Sequence, residues 1–195
     1  MVLVPDSSSA SAPHDSSPSD STPTAEPLAV AALETERHVA SAGWDQNPRV
    51  FALVDTAALI AAEPQLAASL DSAADQAPGA LSAIEQEDLP RTANLESLLG
   101  RMAWPDSVDG VALAVERIVI PPGAERDLPQ DPTAAVDALA EHPQREDVRL
   151  LVAVHRDGRA VCLLRQRAND RDDRVATGED IAPGLVHALR ETLKD

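Results

Sequence analysis

The chain has 195 residues, a length that suits one domain, and it is 44% apolar, 2% aromatic and strongly acidic, with a formal net charge of -17. That charge excludes a sequence-independent grip on nucleic acid or on an anionic membrane, both of which need clustered Lys and Arg, and two Trp with one Phe give no platform for stacking single strands. Leu, Val, Ile and Phe together number 45, enough for a core despite the charge.

Residues 5–27 are Ser, Thr, Pro, Ala and Asp with His14 and Glu26, and they offer no large apolar side chain to bury. Burial cannot offset the entropy of ordering them, so 1–26 are expected as a disordered tail ahead of a single domain over 27–195. The tail holds four acids and no base, which leaves -13 on the domain. Thr24 to Pro27 predicts a helix start, with Glu26 at the positive end of the helix dipole, Pro27 in the first turn and Gly43 as the stop. Leu28, Ala32, Thr35, Val39 and Ala42 line one face of it. Arg49–Asp55 is short, β-branched and aromatic, hence a strand. Ala57–Leu70 returns to helical spacing, restarted or kinked by Pro64, and 71–92 is weakly patterned.

Leu95, Leu98, Leu99 and Met102 mark one face of a short helix that ends before Trp104-Pro105. Gly110–Ile120 reads as a strand whose alternation changes phase: Val111, Leu113 and Val115 share one face, Ile118 and Ile120 the other, which predicts a bulge at Glu116-Arg117. Asp131 as N-cap and Pro132 at the first position predict a helix to Glu141. Val148–Arg156 and Arg159–Arg167 flank Asp157-Gly158, a pair that supplies the positive φ angles of a two-residue hairpin turn. With Arg156 opposite Arg159, Val154 pairs with Val161, Val152 with Leu163 and Leu150 with Arg165, all on the core face. The other face, with Leu151, Ala153, His155, Ala160, Cys162 and Leu164, calls for cover by a helix or a partner. Behind Thr177-Gly178-Glu179-Asp180, the spacing of Ile181, Leu185, Leu189 and Leu193 predicts a terminal amphipathic helix docked on the sheet. The expected fold class is α+β: a mainly antiparallel sheet of about four strands, with a C-terminal β-hairpin and packed helices.

No apolar run approaches the roughly 20 residues of a membrane span, the start has no basic n-region, and a single Cys allows no internal disulfide. A cytoplasmic protein is the expectation. In the hairpin register above, His155 and Cys162 are diagonal neighbours at roughly 7–8 Å between α-carbons, too far for a thiol-imidazole hydrogen bond, so Cys162 reads as a small buried hydrophobe. His14, His38, His142, His155 and His187 lack metal-ligand spacing. Asp170, Asp172 and Asp173 imitate the start of a calcium loop, but Val175 stands where Gly is required and Arg171 and Arg174 balance the charge, which leaves a solvated charged loop. Glu116 has a claim to burial, and Arg117 pairs with it only if the bulge re-aims one of them. Trp104, held extended by Pro105, is either a plug at the base of the next strand or a binding residue. Phosphate-cradling glycine loops and the nucleophile elbow are missing, so no catalytic residue, metal or cofactor is expected.

The segments Ile84–Pro90, Ala103–Gly110, Val115–Pro122, Val148–Val152 and Ala182–Val186 together resemble an uncharacterised actinobacterial protein family, over about residues 27–194. Specificity comes from the stretch between Trp104-Pro105 and Val115-Glu116-Arg117. The resemblance implies a single cytoplasmic domain of actinobacterial origin and carries no activity. The expected function is a non-enzymatic protein-binding or regulatory domain, adaptor- or chaperone-like, with protein as partner and a homodimer as one form. The alternative is a small-ligand protein or enzyme with a pocket near Trp104, Glu116 and Arg117; His155 completes the candidate binding residues. Eight of the fifteen Arg fall between Arg145 and Arg174, which makes the hairpin and its loop the first place to look for a partner.

Overall fold

The computed structural model describes residues 26–70, 75–87, 89 and 94–194. The tail expected over 1–26 lies outside the described residues except for Glu26, as do Asp88 and Pro90 of the acidic segment. In chain order the elements are α1 (Pro27–Ser41), β1 (Arg49–Asp55), α2 (Thr56–Ala62), β2 (Leu81–Glu85), α3 (Leu95–Leu99), β3 (Gly110–Val119), α4 (Pro132–Glu141), β4 (Glu146–His155), β5 (Ala160–Gln166), β6 (Ala176–Gly178) and α5 (Pro183–Thr192). All strand pairs are antiparallel, in the order β2-β1-β3-β4-β5-β6. The α+β class holds, and the strand count is six rather than about four. The additions are β2, inside the weakly patterned stretch, and β6, only three residues long.

Helix starts follow their caps. Glu26 accepts from Ala29 N at 3.2 Å ahead of Pro27, and Asn94 and Asp131 accept from Ser97 N at 2.8 Å and Ala134 N at 2.9 Å. Helix α5 begins at Pro183, after Ile181, because Thr177 and Gly178 are taken up in β6. The sheet is covered on both faces. Leu28, Ala32 and Val39 of α1 pack on Phe51, Leu53, Ala112, Leu151 and Leu163. Leu98 and Leu99 of α3, with Val186 and Leu189 of α5, pack on Val50, Val111, Leu113, Val152 and Cys162. Cover on both faces is why the central strands read as almost unbroken apolar runs. No helix among the described residues is long and apolar enough to cross a membrane.

Two expectations about register are corrected. Strands β3 and β4 pair without interruption from Gly110↔His155 to Val119↔Glu146, so there is no bulge at Glu116-Arg117. The phase change runs through a regular strand: Glu116, opposite Arg149, and Ile118 fall half-buried on the α1 face, while Arg117 and Val119 fall exposed on the other. The hairpin turn holds three residues rather than two. His155 N donates to Arg159 O at 3.0 Å, Gly158 N donates to His155 O at 3.0 Å, and within the turn only Gly158 has positive φ, 96°. Such a turn, closed by a left-handed glycine, moves the pairing by one residue, to Val154↔Ala160, Val152↔Cys162, Leu150↔Leu164 and Arg149↔Arg165. A one-residue slip exchanges the faces of a strand. Cys162 and Leu164 therefore join the α5 side and Arg165 the α1 side, and His155 and Cys162 lie on opposite faces. The turn is tied down by Arg156, which donates to the carbonyls of Val108 at 2.8 Å, Leu193 at 2.6 Å and Trp104 at 3.1 Å.

At Gly110 the strands come so close that an added Cβ meets Val154 O at 2.5 Å and His155 Cα at 3.3 Å, whereas at Gly184 it meets nothing within 4 Å. Urea denaturation of Gly110→Ala is expected to show a loss of about 1–3 kcal/mol. Gly184→Ala, in the first turn of α5, is expected to be neutral or to gain up to about 1 kcal/mol.

Candidate functional site: a buried arginine row beneath Trp44

The register set by the three-residue turn puts Glu116 of β3, Arg149 of β4 and Arg165 of β5 side by side on the α1 face. Like charges opposite one another on a sheet repel, and at 1% and 2% exposure Arg149 and Arg165 cannot turn to water. Their partners come from α1 and from two loops. Glu36, 1% exposed on α1, accepts from Arg165 Nε at 2.6 Å and Nη2 at 2.7 Å in a bidentate fork. Asp170 and Asp172 accept from Arg165 Nη1 at 3.0 Å and Nη2 at 2.7 Å. The Glu36 bonds chiefly, with those to the two aspartates, hold the Arg165 pKa above the ordinary arginine value.

Arg149 is served differently. Its Nη2 donates to Glu116 Oε1 at 2.9 Å and to the Gly43 carbonyl, and its guanidinium carbon lies 4.4 Å from the centroid of the Trp44 ring. Nε and Nη1 are buried without a hydrogen-bond partner, a condition that costs about 1–3 kcal/mol for an ordinary buried polar group and more for a charged one. The second Glu116 oxygen, Oε2, accepts from Asp45 N at 2.8 Å. Asp45, with φ 66°, is the one non-glycine residue of positive φ among the described residues, and its carboxylate takes both Nη atoms of Arg167 at 2.8 and 2.9 Å. Arg167 lies 5.6 Å from the same indole, and Trp44 Nε1 donates to Asp170 Oδ2 at 2.8 Å. That indole bond first, then Arg165, hold the Asp170 carboxyl below the usual aspartate range; Arg167 does the same to Asp45. Beside the indole is a cavity of about 280 Å³, lined by Trp44, Asp45, Glu116, Arg117, Arg145 and Arg167 among others.

Glu116 and Arg117 thus do share a pocket, but the indole with them is Trp44 and not Trp104. Trp104 is half-buried on the α5 side, where its Nε1 donates to Thr192 Oγ1 at 3.1 Å. His155 pairs with Gly110, and its Nδ1 accepts from Asp157 N at 3.2 Å. From Gly110 to Glu116 the strand runs about 20 Å, so Trp104 and His155 stand at one end of the sheet and Glu116 with Arg117 at the other. The four do not converge. Asp170 and Asp172, read from the sequence as part of a solvated loop, stay exposed at 44% and 64% while bonding Arg165. Among the described residues no three His, Cys, Asp or Glu side chains are grouped so as to hold a metal.

Sequence reasoning missed Glu36 and Trp44. Glu36 follows Ala32 by four residues and precedes Val39 by three, which puts it on the inner stripe of α1, a position where an acid requires a buried cation. Arg149 and Arg165, each inside an apolar run, are the matching signal. Trp44 follows the helix-stopping Gly43 and belongs to no periodic pattern.

Fold and site define a small α+β protein, one six-stranded antiparallel sheet with an arginine-carboxylate cluster roofed by an indole. The chain belongs to the PPA1309-like protein family, an uncharacterised family whose model matches residues 28–194. No curated protein and no solved structure matches the chain.

Arg165→Met leaves Glu36 buried and unpaired and is expected to lose about 3–5 kcal/mol in chemical denaturation, whereas Glu36→Leu leaves Arg165 bonded to Asp170 and Asp172 and is expected to lose less. The double variant, with no buried charge left at the pair, is expected to be more stable than Arg165→Met alone. Depressed aspartate pKa values give stability that is present above the ordinary value of about 4 and is lost as pH falls through the depressed ones. In a Trp104→Phe background, Trp44 fluorescence should therefore hold its native emission as pH falls through about 4 and change only below it; Asp170→Asn should abolish that acid transition.

Proposed function

We propose that this protein is a non-enzymatic, cytoplasmic protein-binding module, adaptor- or chaperone-like, which docks a basic amphipathic segment of another protein on α4 and the adjoining end of β3. The observation that carries the reading is α4 itself. It has ten residues and none is buried; Val136 is 65% exposed, and the nearby Val119 is exposed as well. A helix of this length is marginal in water on its own and takes most of its stability from packing. Here Ala135, Ala138, Leu139 and Ala140 are only half-covered, while Pro132 and Val136, one turn apart, are exposed.

Charge names the occupant. The helix and the turn leading into it carry Glu125, Asp127, Asp131, Asp137 and Glu141 against Arg126, a rim that favours Lys and Arg flanking an apolar anchor. A second copy of the chain would bring another -17 to the same face, which opposes self-association.

Titration of the full chain with a Leu/Lys amphipathic helical peptide tests this, with a Leu/Glu peptide as control and hydrogen exchange as readout. Protection of 132–141 should rise with the basic peptide alone. Val136→Glu should weaken binding about tenfold or more, the equivalent of losing roughly 1.5–3 kcal/mol of valine burial. Association driven by charge alone would instead be strengthened by the extra carboxylate, and that result overturns the reading. A dimer in sedimentation velocity that Val136→Glu breaks overturns the choice of a foreign partner.

A further inference from the structure

A six-stranded open sheet ends in two edges, and here the two are guarded unequally. Strand β6, on one side, is three residues long, and short edge strands are one way in which proteins discourage further pairing. Strand β2, on the other, has five residues, Leu-Ser-Ala-Ile-Glu, with neither Lys nor Pro, and it pairs along β1 in unbroken register without a bulge. The usual guards of an edge are therefore missing from it. Ile84, on this strand, is 40% exposed.

Backbone hydrogen bonds alternate in direction along an antiparallel strand. Thr56 N donates to Ala80 O at 2.9 Å and Gln86 N to Val50 O at 2.8 Å, so the even-numbered residues of β2 turn their backbone groups to β1. Leu81, Ala83 and Glu85 turn theirs outward, where no described residue bonds them. The same three residues lie opposite Asp55, Leu53 and Phe51 on the α1 face. Next to them is a cavity of about 260 Å³, lined by Ala31, Glu34, Thr35, Phe51, Leu81 and Ala83 among others. Its apolar lining is joined by acids. Glu85 and His38 are engaged by Arg49, at 2.6 Å from Nε and 3.0 Å from Nη2. Glu34 has no hydrogen bond or ion pair among the described residues, and Asp75 lines the same cavity. Burial first, then Asp75, hold the Glu34 carboxyl above its ordinary range, against the pull of Arg37. Glu87, exposed, follows directly after the strand. An edge with open backbone groups and an unpaired carboxylate beside it suits an extended chain that carries positive charge.

We propose that the β2 edge takes up an extended basic segment of another protein as a further strand of the sheet. The main chain of that segment bonds Leu81, Ala83 and Glu85. Its alternate side chains project to the α1 face, where Lys or Arg meets Glu34 and Asp75, and the intervening ones lie beside Ile84. Backbone pairing supplies affinity and the acids choose the side chain. A second copy of this chain would bring the same carboxylates to the edge again, which opposes pairing of β2 with itself. The edge is separate from the α4 face and stands or falls without it.

The test titrates the full chain with an alternating Lys/Val peptide and follows hydrogen exchange of single amides by NMR. In the unbound chain the amides of Leu81, Ala83 and Glu85 should exchange rapidly, and at saturation they should slow about tenfold or more. Methylating the peptide amides that face the edge, which leaves the protein untouched, should abolish the protection. Ala83→Pro removes an outward donor and spares the bonds to β1, so it should weaken binding about tenfold or more. Glu34→Gln, at an exposed position, should weaken it a few-fold, and the methylated peptide keeps the test decisive if the proline variant fails to fold. Protection of the three amides before any peptide is added shows the edge already covered and overturns the site. So does protection that the methylated peptide retains, or that appears at 132–141 and not at 81–85. Equal binding of an alternating Glu/Val peptide overturns the basic occupant, and a dimer in sedimentation velocity that Ala83→Pro breaks overturns the foreign one.

Discussion

A sheet buried on both faces leaves a charged strand residue no route to water, and the row Glu116, Arg149, Arg165 is where this chain meets that constraint. A lone buried charge is strongly unfavourable; one that is paired and hydrogen-bonded is tolerated. The architecture at that end of the molecule answers the requirement. Glu36 stands on the inner stripe of α1, the chain turns at Gly43 so that its carbonyl and Trp44 come over Arg149, and the loop after β5 folds back to bring Asp170 and Asp172 to Arg165. Helix α1 is thus placed by charge as well as by packing. Apolar contacts are non-directional, whereas a planar two-bond fork fixes both the rotation of the helix and its position along its axis.

Elements whose ends carry their own chemistry are legible in the sequence. Strand β1 over Arg49–Asp55, α1 behind Pro27 and α4 behind the Asp131 cap all stand where local pattern puts them. Strand β2 does not announce itself, because Leu81–Glu85 alternates weakly and becomes a strand by pairing along β1, a tertiary effect. The hairpin is more instructive. Asp-Gly suits both a two-residue and a three-residue loop, and the three-residue form places Arg156 where its guanidinium reaches the carbonyls of Val108, Leu193 and Trp104. Nothing near Asp157 in the sequence shows those acceptors. With a side-chain period of two, that single residue decides which side of the sheet receives Arg165. The site inherits the same division: Glu116 and Arg117 can be picked out as a pair, but Asp45 bonds Glu116 across 71 residues and brings Trp44 with it.

The uneven placement of arginine, eight of fifteen between Arg145 and Arg174, has a structural origin. Arg149 and Arg165 are turned into the fold, Arg156 clamps the turn, and Arg159, Arg167 and Arg171 pair with Asp157, Asp45 and Asp173. The net acidity comes from 33 Asp and Glu against 16 Lys and Arg, and most of the clustered arginines are engaged in holding the chain together.

Glu36 and Arg165 are separated by 129 residues, and that distance sets an order of events. At ordinary elongation rates α1 leaves the ribosome roughly ten seconds before β5 is made, exposing an apolar stripe with an unmatched carboxylate at its centre. Until the last hairpin pairs, the helix has no surface it can occupy without burying a bare charge. A nascent or truncated chain lacking β5 thus has no stable half-structure to settle into. The same ion pair that seats the first helix lets the native state close only once the final third of the chain has arrived.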